Sequence, residues 1–383
     1  MTAAQGGRRG GMDGQRAGLH ADMTTTQQAG GASPVDFEHF GDYGDFRRKQ
    51  ASQAAAPKPG EAVSDGTRGV RGVVPPGQHG EFVRPAYPFQ GRITADGFSG
   101  YPAVPGRYHL YISWACPWAQ RSAIVRVLAG LEDVISLSAV DPIRDGRGWA
   151  FREGPGHSLD PVNGFALLRE AYDATEPGYD GHISVPALWD RETSRIVSNN
   201  FPDITIDLGT QFRAWSRAAA SDGSVDLYPA AQRAEIDAIN ATVYENVNNG
   251  VYRAGMATSQ AAYHDAVTRI FATLDELEQR LAGRRYLLGE SITEADVRLW
   301  VTLARFDVVY YSHFKANLRR LTDYTNLWGY ARDLYSRPAF RDTTNFDHIK
   351  RHYYVTHSHI NPSRIVPDGP LLDWDAAAPG SGR

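Results

Sequence analysis

An apolar, β-branched and aromatic run from Arg107 to Ser113 passes within three residues into a second run, in which Ile124, Val127, Leu128 and Leu131 recur at helical spacing. The junction reads Tyr111-Ile-Ser-Trp-Ala-Cys-Pro-Trp-Ala-Gln-Arg121. Pro117 suits the first helical turn, where its missing N–H goes unused, and Gly130 helps to end the helix. A buried strand feeding a helix this abruptly is the start of a sheet covered by helices.

The later elements keep to that scheme: strand 107 to 113, helix 117 to 129, strand 134 to 140, and then an irregular region to about 180. Further strands are expected near Val185 to Asp190 and Arg195 to Ser198, giving the βαβ…ββα order of a thioredoxin-like layer. Pro186 would cost a ladder bond inside a sheet, so Val185-Pro186 belongs at an edge, a strand start or a cis turn. Beyond about Pro229 the pattern turns helical. Tyr263, Val267, Ile270, Phe271, Leu274, Leu277 and Leu281 form a continuous apolar seam that stops at Gly283. In Ile292 to Val297, Thr293 is placed to cap a helix and Asp296 to reach back to the Thr293 N–H, with Ile292 and Val297 as a hydrophobic staple. Asp296 is therefore read as a cap, not as a catalytic acid.

Cys116 is the only cysteine in 383 residues. At or near the N-cap, it faces unpaired N–H groups and the positive end of the helix dipole, which favour thiolate and lower a cysteine from about 8.5. The competing reading is a buried, inert thiol. Three residues on stands Ala119, so there is no Cys-x-x-Cys pair, and any redox cycle needs an external thiol.

A hydrophobic content of 42% supports a sizeable core, while a net charge of −4 and a pI near 6.3 give no footprint for nucleic acid or an anionic membrane. No run approaches the roughly 18 to 20 apolar residues of a membrane span, and one cysteine without a disulfide partner fits a reducing cytoplasm. Residues 1–80 hold 16 of the 38 glycines and none of the eight tryptophans, and read as a flexible extension with a short docking segment around Phe37 to Phe46. The expected divisions are this extension, a thioredoxin-like thiol-binding domain over 81–212, a helical domain over 213–350, and a tail over 351–383 that packs near the active site and ends flexibly.

Cys116 to Ala119, Tyr244 to Gly255, Arg298 to Asp307, His313 to Arg320, Asn326 to Tyr330 and His348 to Tyr354 together resemble the xi-class glutathione transferases, the glutathionyl-hydroquinone reductases. The likeness runs from about Phe82 to Pro370. It implies the glutathione transferase fold, a homodimer, no tightly bound cofactor, and a two-step exchange between an aromatic quinone-derived substrate and a small-molecule thiol. Cys116 would attack the sulfur of a thioether-linked hydroquinone, and a second thiol would free the resulting mixed disulfide. By the same resemblance Tyr252 donates a proton to the leaving ring, Tyr310 and Tyr353 hydrogen-bond the thiolate, and Trp149 packs on the thiol cosubstrate. His313, Lys315 and Arg320 are candidates for a phenol-oxygen pocket. His348, His352, His357 and His359 have a spacing that metals use, but no acidic or thiol ligand accompanies them, and no metal site is assigned.

The thiol-binding positions are expected at Trp149, His182, Val185, Pro186, Asn200 and Phe201. Three of them depart from the family. Where it reads Ser-Asn-Glu-Ser this chain reads Ser198-Asn199-Asn200-Phe201, and His182 stands where an arginine usually serves the glycyl carboxylate. Each lost charged hydrogen bond is worth roughly 1.5 to 3 kcal/mol. The changes point to a thiol other than glutathione, with mycothiol, which carries a sugar in place of the γ-glutamyl group, as the candidate. A composition of 36 Arg against 4 Lys matches a GC-rich genome and agrees with that choice. The alternatives are a conjugating transferase or dehalogenase, and a non-catalytic scaffold or ligand-binding protein on the same fold.

Overall fold

The computed structural model describes residues 30–43, 79–217 and 226–376. The expectations of a flexible extension at 1–29 and 44–78, and of a flexible end at 377–383, lie outside these residues. Helix α1 (Phe37–Phe40) is capped by Asp36, whose carboxylate accepts the His39 N–H at 2.9 Å. A four-stranded sheet comes next, built from β1 (Tyr108–Ile112), β2 (Ser136–Ala139), β3 (Ala187–Asp190) and β4 (Arg195–Ser198) in the order β2-β1-β3-β4. β1 is buried at every residue, as befits a central strand covered on both faces. It runs parallel to β2, so the chain must cross over between them, and α2 (Pro117–Leu128) is that crossover.

β1 pairs antiparallel with β3, with Ala187 opposite Tyr111. Val185 and Pro186 therefore fall just past the end of β1, beside the loop that carries Cys116. The Val185-Pro186 peptide is cis and Pro186 directly precedes β3. Gly130 takes φ +63° just beyond α2, a left-handed conformation that suits glycine. The stretch expected to be irregular to about 180 contains α3 (Arg169–Thr175). Only Ala171 and Tyr172 of its seven residues are buried, too few to show a helical period in the sequence.

After α4 (Phe201–Thr210) the chain forms α5 (Arg233–Val243), a wide π turn (Tyr244–Asn248), α6 (Gly250–Gly255) and α7 (Gln260–Leu281). α8 (Glu294–Arg305) runs into a second π turn (Phe306–Tyr310), followed by α9 (Thr325–Tyr335), α10 (Pro338–Arg341) and α11 (Phe346–Thr356). α7 buries Val267, Ile270, Phe271, Leu274, Leu277 and Leu281 of the seam read from the sequence, while Tyr263, its first expected member, is only partly buried. At the start of α8 the capping box forms, and Asp296 accepts from the Leu287 and Thr293 N–H groups at 2.9 and 2.7 Å and from the Thr293 and Tyr330 hydroxyls at 2.9 Å each. The boundary expected between 350 and 351 falls inside α11. Asn345 caps that helix, and the buried His348, Ile349, His352 and Tyr353 keep one face continuous through residue 350.

Arg305, fully buried at the end of α8, joins the helical unit to the sheet unit. It donates to the carbonyls of Trp114 and Ala115 at 3.0 and 3.1 Å, to Gln120 Oε1 at 2.6 Å and to the Val301 carbonyl at 2.7 Å. Gln120 in turn donates to the Thr343 carbonyl and the Thr344 hydroxyl at 3.1 and 2.7 Å. Residues 30–43 fold against this body instead of forming the flexible extension expected there, and the described part of the docking segment expected around Phe37 to Phe46, residues 37–43, is in contact with it. The Ala32 N–H bonds the Phe151 carbonyl and the Gly146 N–H bonds the Gly41 carbonyl, both at 2.9 Å. The phenyl rings of Phe37 and Phe40 receive the guanidinium groups of Arg364 and Arg147 at 3.8 and 3.7 Å. At the other end Trp374 is buried beside Trp328 and Phe346. Among the described residues no helix is long and apolar enough to cross a membrane.

Removing the Asp296 carboxylate leaves buried N–H groups without an acceptor. Asp296→Ala is expected to lower unfolding stability by about 2 to 4 kcal/mol in urea, while leaving the rate of Cys116 alkylation in the folded protein within about twofold. A loss under about 0.5 kcal/mol would show that the cap is dispensable.

Candidate active site

Cys116 is the N-cap of α2, with φ −80° and ψ 118° and Pro117 as the first helical residue. Its side chain is 7% exposed, and its thiol donates to the Val185 carbonyl at 3.5 Å, a contact set by the β1–β3 register. Burial pushes the thiol up from its ordinary value, outweighing the N–H groups of Ala119 and Trp118 and the positive charges of Arg305 and Arg144, which pull it down. This reverses the direction expected from the sequence. The helix terminus does supply its donors, but desolvation of a charged sulfur is the larger effect.

The three tyrosines meet. Tyr252 comes from α6, Tyr310 ends the second π turn and Tyr353 lies on α11. The hydroxyls of Tyr252 and Tyr353 share a short hydrogen bond, and those of Tyr310 and Tyr353 are 3.1 Å apart. The implied bonds from Tyr310 and Tyr353 to the sulfur are replaced here by bonds among the phenols. Each π turn inserts one extra residue into its helix and so re-aims the side chains beyond it, a feature common at functional sites. Phe314 stacks on Tyr310 at 5.5 Å and meets Tyr252 at 5.3 Å and Tyr353 at 5.6 Å. A Cβ on Gly255 would collide with the Phe314 ring, so this glycine lets the aromatic backing close up. Burial pushes all three phenols up, Tyr252 and Tyr353 well above the ordinary value of 10.0, and the cluster holds its protons.

Cys116, Tyr252 and Tyr353 line a cavity of about 440 Å³, a size that suits a small organic ligand. Trp149, His182 and Val185 also line it, whereas Tyr310, Pro186, Asn200 and Phe201 are not among its lining residues. Trp149 stacks on His352 at 5.1 Å and carries the Arg144 guanidinium 4.2 Å from its ring. The Asn200 side chain donates to Asp203 at 2.7 Å. Phe201 is buried against Trp118 at 4.6 Å and Tyr87 at 5.3 Å, so Tyr87 forms the cavity surface on that side.

Several lining residues were not individually named from the sequence. Arg84 and Tyr87 sit in a segment without regular structure, Arg144 follows β2 in a loop, and Asp42 and Tyr43 belong to the glycine-rich extension. Arg84 lies 4.5 Å over Trp118 and 4.8 Å over Tyr252, with its Nε donating to Asn249 at 2.9 Å. The candidate phenol-oxygen residues are elsewhere. His313 is buried against His357 at 3.3 Å, the Lys315 carbonyl accepts the Tyr263 hydroxyl at 2.7 Å, and Arg320 pairs with Asp323 at 3.1 Å on the surface. Of the spaced histidines, His348 and His352 bond the Pro155 and Pro142 carbonyls at 2.7 Å, and His359 contacts the Met256 sulfur. Burial pushes His352 and His357 well below the ordinary imidazole range and His313 down to about 3, so these rings are neutral.

Residues 260–333 match the family model described as the glutathione S-transferase C-terminal domain. The chain is 45% identical to glutathionyl-hydroquinone reductase YqjG of Escherichia coli (strain K12), over 77% of this chain and 91% of the relative. It is 46% identical to glutathionyl-hydroquinone reductase PcpF of Sphingobium chlorophenolicum, over 76% and 90%. Among solved structures, the glutathione S-transferase Xi of Phanerochaete chrysosporium superposes with a TM-score of 0.74 at 46% identity, covering 77% of this chain and 95% of that one. The glutathione-bound structure of YqjG gives 0.73 at 45% identity, covering 76% and 95%. A thioredoxin-like sheet unit bearing one thiol, a helical unit bearing three joined tyrosines, and these likenesses along most of the chain agree: it belongs to the xi-class glutathione transferases, the family of the glutathionyl-hydroquinone reductases.

Proposed function

We propose that this chain is a thiol-dependent reductase that cleaves the carbon–sulfur bond of S-conjugated hydroquinones through a mixed disulfide on Cys116. The observation that carries the reading is the meeting of the chain's one thiol with two proton-holding phenols, Tyr252 and Tyr353, on the wall of one aromatic cavity. Cys116 thiolate attacks the conjugate's sulfur, forming an S–S bond as the C–S bond breaks. The electron pair goes to the ring carbon, which takes its proton from Tyr252, leaving a reduced hydroquinone. Tyr353, bonded to both other hydroxyls, stabilises the phenolate and passes on its replacement proton. A second thiol then attacks the mixed disulfide, releasing a small-molecule disulfide and the Cys116 thiolate.

The identity of that second thiol is part of the proposal. A glutamyl group needs charged partners, and here Asn200 is engaged with Asp203 while Phe201 is buried behind Tyr87. This supports a thiol with an uncharged, hydroxyl-rich group at that end, for which mycothiol is the candidate. Incubating the protein with the disulfides of mycothiol and glutathione, then weighing it intact, is expected to show faster loading of Cys116 by the mycothiol form. Preferential loading by glutathione would reverse the assignment, and loading by neither would favour a non-catalytic scaffold. A conjugating transferase would turn over without any mixed disulfide. Cys116→Ser is expected to lower kcat/KM by at least about 10³, and Tyr252→Phe to lower kcat by about 10². A Tyr252→Phe enzyme of unchanged kcat would remove Tyr252 as the acid.

Because burial raises the thiol, little thiolate exists near pH 7 in the free protein. The rate of iodoacetamide alkylation at Cys116 should climb about tenfold per pH unit between pH 7 and 9, following the thiolate fraction. A plateau already reached by pH 8 would mean that the helix donors prevail over burial.

A further inference from the structure

The described part of the N-terminal extension reaches the cavity. Its backbone is joined to the loop after β2 by the Gly146–Gly41 bond and by a bridge between Asp42 and Asp145. A Cβ on Gly146 would strike the Phe40 carbonyl, so the approach depends on that glycine. Arg147 fastens the same place, pairing with Asp145 at 2.6 Å and donating to the Ser33 and Pro34 carbonyls at 3.1 and 2.8 Å. On the far side Asp42 pairs with Arg364 and accepts the Ser358 hydroxyl at 2.8 Å. Residues 40–43 are thus held at both sides, and Asp42 and Tyr43 line the cavity with Cys116.

At this point the extension also touches a cation of the cavity wall. The Arg144 guanidinium lies 3.6 Å from the Tyr43 ring centroid and 4.2 Å from that of Trp149, with the residue only 8% exposed. An arginine has four side-chain torsions, and two aromatic faces restrict the plane in which its charge lies. We propose that Tyr43 is a positioning residue: with Trp149 it fixes the Arg144 guanidinium in the wall of the cavity that Cys116 also lines, where that charge receives the anionic group of an entering thiol or conjugate. Arg144 also acts on the sulfur electrostatically, favouring its charged form. The proposal rests on the part of the function above that makes Cys116 the reacting atom, and not on the substrate or on the second thiol.

The test compares two alkylating reagents of similar size, anionic iodoacetate and neutral iodoacetamide, on the full-length protein. With a single cysteine in the chain, both rates report Cys116 alone. Their ratio reads local charge and cancels changes in thiol ionisation and access. Arg144→Gln is expected to lower the iodoacetate-to-iodoacetamide ratio by about threefold or more. Tyr43→Ala should lower it similarly, and Tyr43→Phe, which keeps the ring, should hold it within about twofold. The double variant should fall no further than Arg144→Gln alone. Tyr43→Leu, which retains bulk without an aromatic face, serves if Tyr43→Ala does not fold. A ratio unmoved by Tyr43→Ala and Tyr43→Leu while Arg144→Gln lowers it would overturn the role of Tyr43, and a ratio unmoved by Arg144→Gln would overturn the whole proposal. Either result leaves the reductase reading intact, because no turnover is measured.

Discussion

The buried guanidinium of Arg305 joins the two units of this protein at the point where its chemistry sits. It reaches from the last turn of α8 to the carbonyls of Trp114 and Ala115, the two residues before Cys116, and to Gln120 one turn into α2. Those carbonyls lie beyond the end of β1 and lack a strand partner, so the helical unit satisfies the backbone that the sheet unit leaves over. A buried cation with hydrogen bonds of this number holds its geometry tightly, since removing one side strands the other. The position of the thiol relative to Tyr252, Tyr310 and Tyr353, all of which the helical unit supplies, therefore depends on this contact.

Within that frame two opposing effects set the state of the sulfur. The N-terminus of α2 and nearby arginines favour thiolate, and burial among Trp118, Tyr252 and Tyr353 disfavours it more strongly. The same burial keeps the phenols protonated. With the thiol and the phenols neutral, the charge in the cavity wall comes from Arg84, Arg144 and the Asp42–Arg364 pair.

Much of this was legible in the chain. The strand–Cys–Pro–helix junction, the α7 seam and the Thr293–Asp296 box depend on local pattern, and each formed where its residues placed it. α3 escaped because seven residues give too short a period, and the break expected at residue 350 failed because α11 buries one unbroken face through it. The site was legible in its chemistry but less so in its geometry. Cys116, Tyr252 and Tyr353 face one cavity, yet Phe201 turned out to support Tyr87 from behind, and the direction of the thiol shift depends on desolvation, which no motif records. A docking segment was legible around Tyr43, but its meeting with Arg144 was not, because that contact brings a loop against a segment about a hundred residues away in the chain.

The most direct test is a single turnover without free thiol. Mixing excess protein with an S-conjugated hydroquinone should release one equivalent of hydroquinone per conjugate and leave the conjugate's thiol as a mixed disulfide on Cys116, identified by peptide mass. Hydroquinone that appears only after free thiol is added, with Cys116 unmodified throughout, would contradict the account.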